Sequence, residues 1–160
     1  MKALICISLI LFFSGCKKDD SSVTDPPNQQ GTVTDIDGNV YHTIKIGTQT
    51  WMVENLKVTK YRNGEAILNI TDVNQWGTRT NLSGAYCNYD NSEGNGATYG
   101  HLYDYLAVTD SRNIAPTGWH IPTKTEFQTL GVAVSNNSNP LKTKGQGRDN
   151  GVGTNTTGFS

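Results

Sequence analysis

The chain of 160 residues predicts an α+β fold, and three stretches carry that expectation. "TVTDIDGNVYHTIKIG" alternates polar and apolar side chains on both sides of an Asp37-Gly38 step, the pattern of a β-hairpin. "YGHLYDYLAV" puts Tyr99, Leu102, Tyr105 and Leu106 at helical spacing. "GWHIPTKTEFQTL" holds Thr123 three residues before Glu126, the signature of a capped helix start. With 35% hydrophobic residues and 17 glycines, the composition suits one polar, loop-rich domain with accessories.

From the N-terminus, "MKALICISLILFFSG" has Lys2, an apolar run from Ala3 to Phe13, and then small residues. The run is shorter than the roughly 20 residues that span a hydrocarbon core, so residues 1–15 read as a signal peptide. "FSGC" resembles a bacterial lipobox, which implies cleavage between Gly15 and Cys16 and acylation of Cys16. At about 0.8 kcal/mol per buried CH₂, two or three acyl chains hold a protein on a membrane with no spanning helix. Residues 17–31, "KKDDSSVTDPPNQQG", contain one aliphatic side chain and no aromatic, too little apolar surface to offset ordering, and read as a disordered tether. "KKDD" is similar to the signals that send Bacteroidetes-type lipoproteins to the outer face of the outer membrane, although a solvated linker has the same composition.

The domain is expected from Thr32. The hairpin would place Val40, Ile44 and Ile46 on one face and Tyr41, Thr43 and Lys45 on the other, followed by a strand carrying Trp51 and Val53. Residues 63–96 are rich in Asn, Gly, Asp and Thr and read as long loops around a strand-like island, "GAYCNYD". A short amphipathic helix is expected over 99–108. Pro122 disfavours helix at Ile121, so an extended segment ends there and a helix begins, with Phe127, Leu130 and Val134 facing inward and Trp119 and Ile121 packed beneath. Trp119, Pro122, Thr123, Glu126 and Phe127 thus form a strand-to-helix corner in which Glu126 is engaged in capping rather than catalysis.

Chemical motifs are scarce. A formal charge of -1 leaves no basic stripe for nucleic acid. Cleavage would leave only Cys16 and Cys87, and with Cys16 acylated no disulfide framework can be drawn. His42, His101 and His120 lack metal-motif spacing, and neither "DIDGN" nor "DNSEGNG" completes an EF-hand order. The first reads as a hairpin turn and the second as a solvated loop. No nucleophile elbow, phosphate loop or cofactor motif occurs, and Cys87 reads as a small buried hydrophobe in a strand. Trp51 and Trp119 sit in patterns that bury them. Trp76, in "NQWGTRT", is the candidate ligand-contact residue.

"VTDIDGNVYHTIKIGTQTWMVENLKVTKYRNG", "GAYCNYDN", "YGHLYDYLAV" and "APTGWHIPTKTEF" follow one another in an order that resembles the Fibrobacter succinogenes major paralogous domain, from about Thr32 to the end of the chain. The resemblance implies a C-type lectin-like fold with helices at 99–108 and 123–133. "IPTKTEF" is also similar to a signature of formylglycine-generating enzymes, whose C-terminal cysteines this chain lacks. Ala115 stands where family members often have a cysteine. The family pattern continues past "TGFS" into further strands, which implies a domain incomplete at its C-terminus, prone to aggregate if expressed alone. The expectation for function is a lipid-anchored, cell-surface binding or adhesion module of the outer membrane, with a glycan or protein ligand, no cofactor and no nucleic acid. A structural surface protein without a small ligand and a degenerate relative of the formylglycine-generating enzymes are the alternatives.

Overall fold

A computed structural model describes residues 29–78 and 83–159. The expected signal peptide, the Gly15–Cys16 cleavage site and the tether up to residue 28 lie outside the described residues.

The architecture is α+β, with two three-stranded sheets and short helices. The first sheet has the order β1 (Gln29–Thr34), β2 (Val40–Ile46), β3 (Gln49–Met52), all antiparallel. Its first strand opens at Gln29, three residues inside the stretch read as tether, because Gln29 and Gly31 pair with Ile44 and Thr43 across a bulge. The β2–β3 turn is built on Gly47, at φ 61, and a Cβ there would lie 2.9 Å from that of Ala133. In β2 both faces are covered, unlike the one-sided strand that period two suggests: Tyr41 and Thr43 are as buried as Ile44 and Ile46, while Val40 is exposed.

The second sheet joins β4 (Leu68–Asn69) in parallel to β5 (Ala85–Cys87), and β5 antiparallel to β6 (Leu102–Tyr103). The 63–96 region is more structured than a set of loops. It holds α1 (Val73–Thr78), a 3-10 turn at Tyr89–Asn91 and α2 (Glu93–Tyr99), whose N-cap is Ser92. "DNSEGNG" is therefore the start of a helix. Its Gly96 sits where a Cβ would come within 2.3 Å of Asn88 Oδ1.

The expected helix over 99–108 does not form. Tyr99 ends α2, Gly100 at φ 76 breaks it, β6 follows, and α3 (Tyr105–Thr109) starts on the N-cap Asp104. Tyr99, Leu102 and Tyr105, the expected inward stripe, are all exposed; Ala107 is the buried residue of α3.

α4 (Lys124–Ala133) forms as the Thr123–Glu126 pattern predicts. Two apolar clusters hold these elements. Val58, Tyr61, Ile67, Tyr86, Ala107 and Ile114 form one, around the second sheet and α3. Ile44, Ile46, Trp51 and Leu130 form the other, between the first sheet and α4. Leu130 and Val134 reach the second of these, but Ile121 packs on the first, so Ile121 does not lie under α4 as the alternation suggests. Phe127 is exposed to 55%, yet its ring centroid lies 5.4 Å from that of Trp51.

Candidate functional site

The polar residues of the sequence motifs bond mainly to one another. In the β1–β2 loop, Asp35 accepts from the backbone N–H groups of Asp37 and Asn39, each at 2.9 Å, and from the Asn39 amide at 2.9 Å. The Tyr41 hydroxyl, in the core, donates to Asp35 at 2.5 Å and accepts the Lys57 N–H at 3.1 Å. Asp37 accepts from the backbone and hydroxyl of Thr59 and pairs with Lys60 at 2.8 Å. Burial pushes the Asp37 carboxyl up, but Lys60 and Thr59 outweigh it, leaving it below the ordinary carboxylate range. A turn that resembles a cation loop is thus locked onto the segment at 57–60 by its own donors.

From there the chain makes a turn, with Gly64 N–H on Tyr61 O and Lys60 bridged to Ala66. Its Arg62 reaches across more than fifty residues to the "APTGW" stretch. The guanidinium donates to Ala115 O at 3.2 and 2.9 Å, to Pro116 O at 2.9 Å and to Trp119 O at 2.9 Å. Fork-shaped donors suit convergent carbonyls, and these have no strand or helix to satisfy them. The corner itself follows. Thr123 accepts the Glu126 N–H at 3.3 Å, and the Glu126 carboxylate returns to Thr123 N–H at 2.7 Å. Its other oxygen meets His120 Nε2 at 2.7 Å. Hydrogen bonds from the Thr123 backbone, then from His120 and the Thr123 hydroxyl, pull the Glu126 carboxyl down to about 2. A carboxylate held ionised this firmly is a poor proton donor or acceptor near neutral pH.

The Tyr61–Ala66 turn stands between two clefts. One, of about 190 Å³, lies between Thr34–Ile36, Arg62 and Ala115–Thr117. Its two charged groups are the Asp35 and Arg62 already engaged in the bonds above. The other, of about 310 Å³, opens between Tyr61, Ile67–Asn69, Ser83–Gly84 and Arg112. The Arg112 guanidinium sits 3.8 Å above the Tyr61 ring and pairs with Glu65 and Asp110, each at 2.6 Å. Those bonds bring the Asp110 carboxyl to about 2 and push Arg112 upward, so the guanidinium that lines the cleft, as Asn69 also does, is held in an ion triad. Its volume is at the lower end for small-molecule sites, the size of one sugar unit or a short side chain.

The remaining candidates fall outside this cleft's lining. Trp76 is half-buried on α1, the element that leaves the Leu68–Asn69 wall. Trp119 is half-buried, its carbonyl held by Arg62; Pro122 and Thr123 form the corner, and Phe127 stacks on Trp51. The histidines are apart: His42 meets Glu54 at 2.5 Å, His101 meets Asn88 at 2.7 Å, and His120 meets Glu126. Burial pushes Glu54 up, but bonds from the His42 ring and amide prevail and leave it lowered. Among the described residues no group of three or more His, Cys, Asp or Glu is placed to hold a metal ion. Cys87 lies half-buried in β5 with its thiol pushed up by burial, which lowers its thiolate fraction. Arg62 and Arg112 were not singled out in the sequence: Arg62 acts through carbonyls 53 to 57 residues away, and Arg112 joins its near neighbour Asp110 to Glu65, 47 residues away.

Residues 44–160 match the family model described as the Fibrobacter succinogenes major domain. No curated protein and no solved structure matches the chain.

Proposed function

We propose, starting from the fact that the chain belongs to the Fibrobacter succinogenes major domain family, that it is a binding or adhesion module displayed on the bacterial surface. In this reading Cys16 carries the lipid that anchors it in the outer membrane, residues 17–28 tether it, and a C-type lectin-like domain presents the cleft beside Arg112 to a glycan. The observation that carries the reading is the division of labour among polar groups. The motif residues Asp35, Asp37, Arg62 and Glu126 are engaged within the chain, while the 310 Å³ cleft is lined by the exposed Asn69 together with the apolar Ile67. Pockets that pair a few placed polar groups with apolar lining suit a small polar ligand such as a sugar. A kinship with formylglycine-generating enzymes gains nothing from Cys87, whose thiol burial disfavours as a nucleophile.

The test is a glycan array probed with the full chain, followed by titration of any ligand against Asn69→Ala. Exposed Asn69 has its ladder bonds on the backbone, so the substitution leaves the fold in place and should weaken binding several-fold, the loss of about one hydrogen bond. No sugar bound, with binding to cells or protein retained, would replace this reading with that of a structural adhesion protein.

A further inference from the structure

We propose that the cleft beside Arg112 selects sugars that carry a carboxylate, which takes the place of Glu65 on the Arg112 guanidinium. The proposal rests on the glycan reading above and adds the chemical class of the ligand. Arg112 lines the cleft of about 310 Å³ and its side chain is 32% exposed, so a ligand in the cleft can reach it. A guanidinium has five N–H donors and no acceptor. Asp110 takes two of them side-on, from Nε at 2.9 Å and Nη2 at 2.6 Å, and Glu65 takes one from Nη1 at 2.6 Å. The other two, one on each terminal nitrogen, belong to the end-on fork that matches a carboxylate with two parallel bonds. The bond to Glu65 uses one carboxylate oxygen of that residue.

The three supports of Arg112 differ in strength. Asp110 lies close in sequence, is 19% exposed, and also accepts the Arg112 backbone N–H at 2.8 Å. The Tyr61 ring lies 3.8 Å from the guanidinium and is itself buried. These two hold the group in place without Glu65. Glu65 is 60% exposed on the Tyr61–Ala66 turn, and an ion pair so open to water contributes little. A ligand carboxylate therefore displaces the weakest partner of an arginine that is already oriented, which keeps the cost of ordering small. Released Glu65 returns to solvent, so the exchange leaves the charge balance at the guanidinium unchanged. A neutral sugar cannot make this exchange, because a hydroxyl offers a guanidinium neither the charge nor the two parallel bonds of a carboxylate. Asn69, exposed on the same cleft, serves the sugar hydroxyls.

The experiment probes the full chain with an array that sets uronic acid oligosaccharides beside their methyl esters and neutral glycans. The tightest ligand is then titrated against Glu65→Ala and Arg112→Lys by calorimetry. Acidic glycans should bind, and esterification, which removes the charge and keeps the sugar, should weaken them about tenfold. Glu65→Ala clears the competing carboxylate from an exposed position while the backbone bond from Tyr61 N–H to its carbonyl remains, and should bind the acidic ligand several-fold more tightly. Arg112→Lys keeps the positive charge but loses the fork, and should bind it about tenfold more weakly with circular dichroism unchanged. Esters or neutral sugars bound as tightly as the acids would overturn this proposal and leave the glycan reading standing. No sugar bound at all would overturn both. Weaker binding by Glu65→Ala would make Glu65 a support of the ligand and overturn the exchange.

Discussion

Replacing Tyr41 by Phe removes one oxygen from the centre of the β1–β2 loop and nothing else. The ring is fully buried, so its packing is retained, and the loss is confined to two hydrogen bonds. One is a donation to the Asp35 carboxylate at 2.5 Å, of the charge-assisted kind that contributes about 1.5–3 kcal/mol. The other leaves the part-buried Lys57 N–H without its acceptor, a further ~1 kcal/mol. Asp35 keeps its bonds from Asp37 and Asn39, so no bare buried charge results. The sum, about 3 kcal/mol, is a large share of the roughly 5–15 kcal/mol that stabilises a typical domain. With a urea slope of about 1.5 kcal/mol/M, the unfolding midpoint of the full chain should fall by roughly 2 M at unchanged slope. A midpoint that moves by less than about 0.3 M would refute the claim that this loop is a structural lock.

Three other perturbations have definite outcomes. The Glu126 carboxyl is depressed to about 2 from 4.5, so its capping contribution is present above 4.5 and lost as pH falls through about 2; Glu126→Gln should flatten thermal stability against pH across that window, and parallel curves would count against the cap. Gly84→Ala would put a Cβ 2.4 Å from the Ala107 backbone and should cost about 1–3 kcal/mol or prevent folding, whereas Gly77→Ala, with nothing within 4 Å, should be neutral or slightly stabilising in α1; similar melting of the two would contradict the packing described. Cys16→Ser should abolish incorporation of radiolabelled palmitate and release the chain from the membrane fraction, and undiminished labelling would end the anchor proposal.

The parts of the fold that could be read in the sequence are those decided within a few residues. The Asp37-Gly38 hairpin and the Thr123–Glu126 corner are local chemistry, and both form. The Tyr99–Leu106 stripe misled because spacing cannot see that Gly100 adopts a positive φ, which ends one helix at Tyr99, the stripe's first residue. The same blindness hid α2, whose glycines lower helix propensity although Gly96 is there to admit the Asn88 side chain. Alternation in β2 located the buried Ile44 and Ile46 but not the exposure of Val40, and had no information on Lys57, whose backbone meets Tyr41 from the other side. Of the site, the capping role of Glu126 was legible, while the clamp of Arg62 and the contact of Arg112 with Glu65 depend on partners 47 to 57 residues away. No local pattern encodes those.

The account rests on the motifs serving to hold one another, with Arg62 as the link between the "KYRNG" turn and the "APTGWH" stretch. The direct measurement is amide hydrogen exchange in the full chain and in Arg62→Ala. The account predicts that exchange accelerates across residues 115–122, where the Arg62 clamp is lost and Pro116 O keeps only the Trp119 N–H, and stays unchanged in β1 and β2. Protection of 115–122 that is the same in both proteins would contradict it.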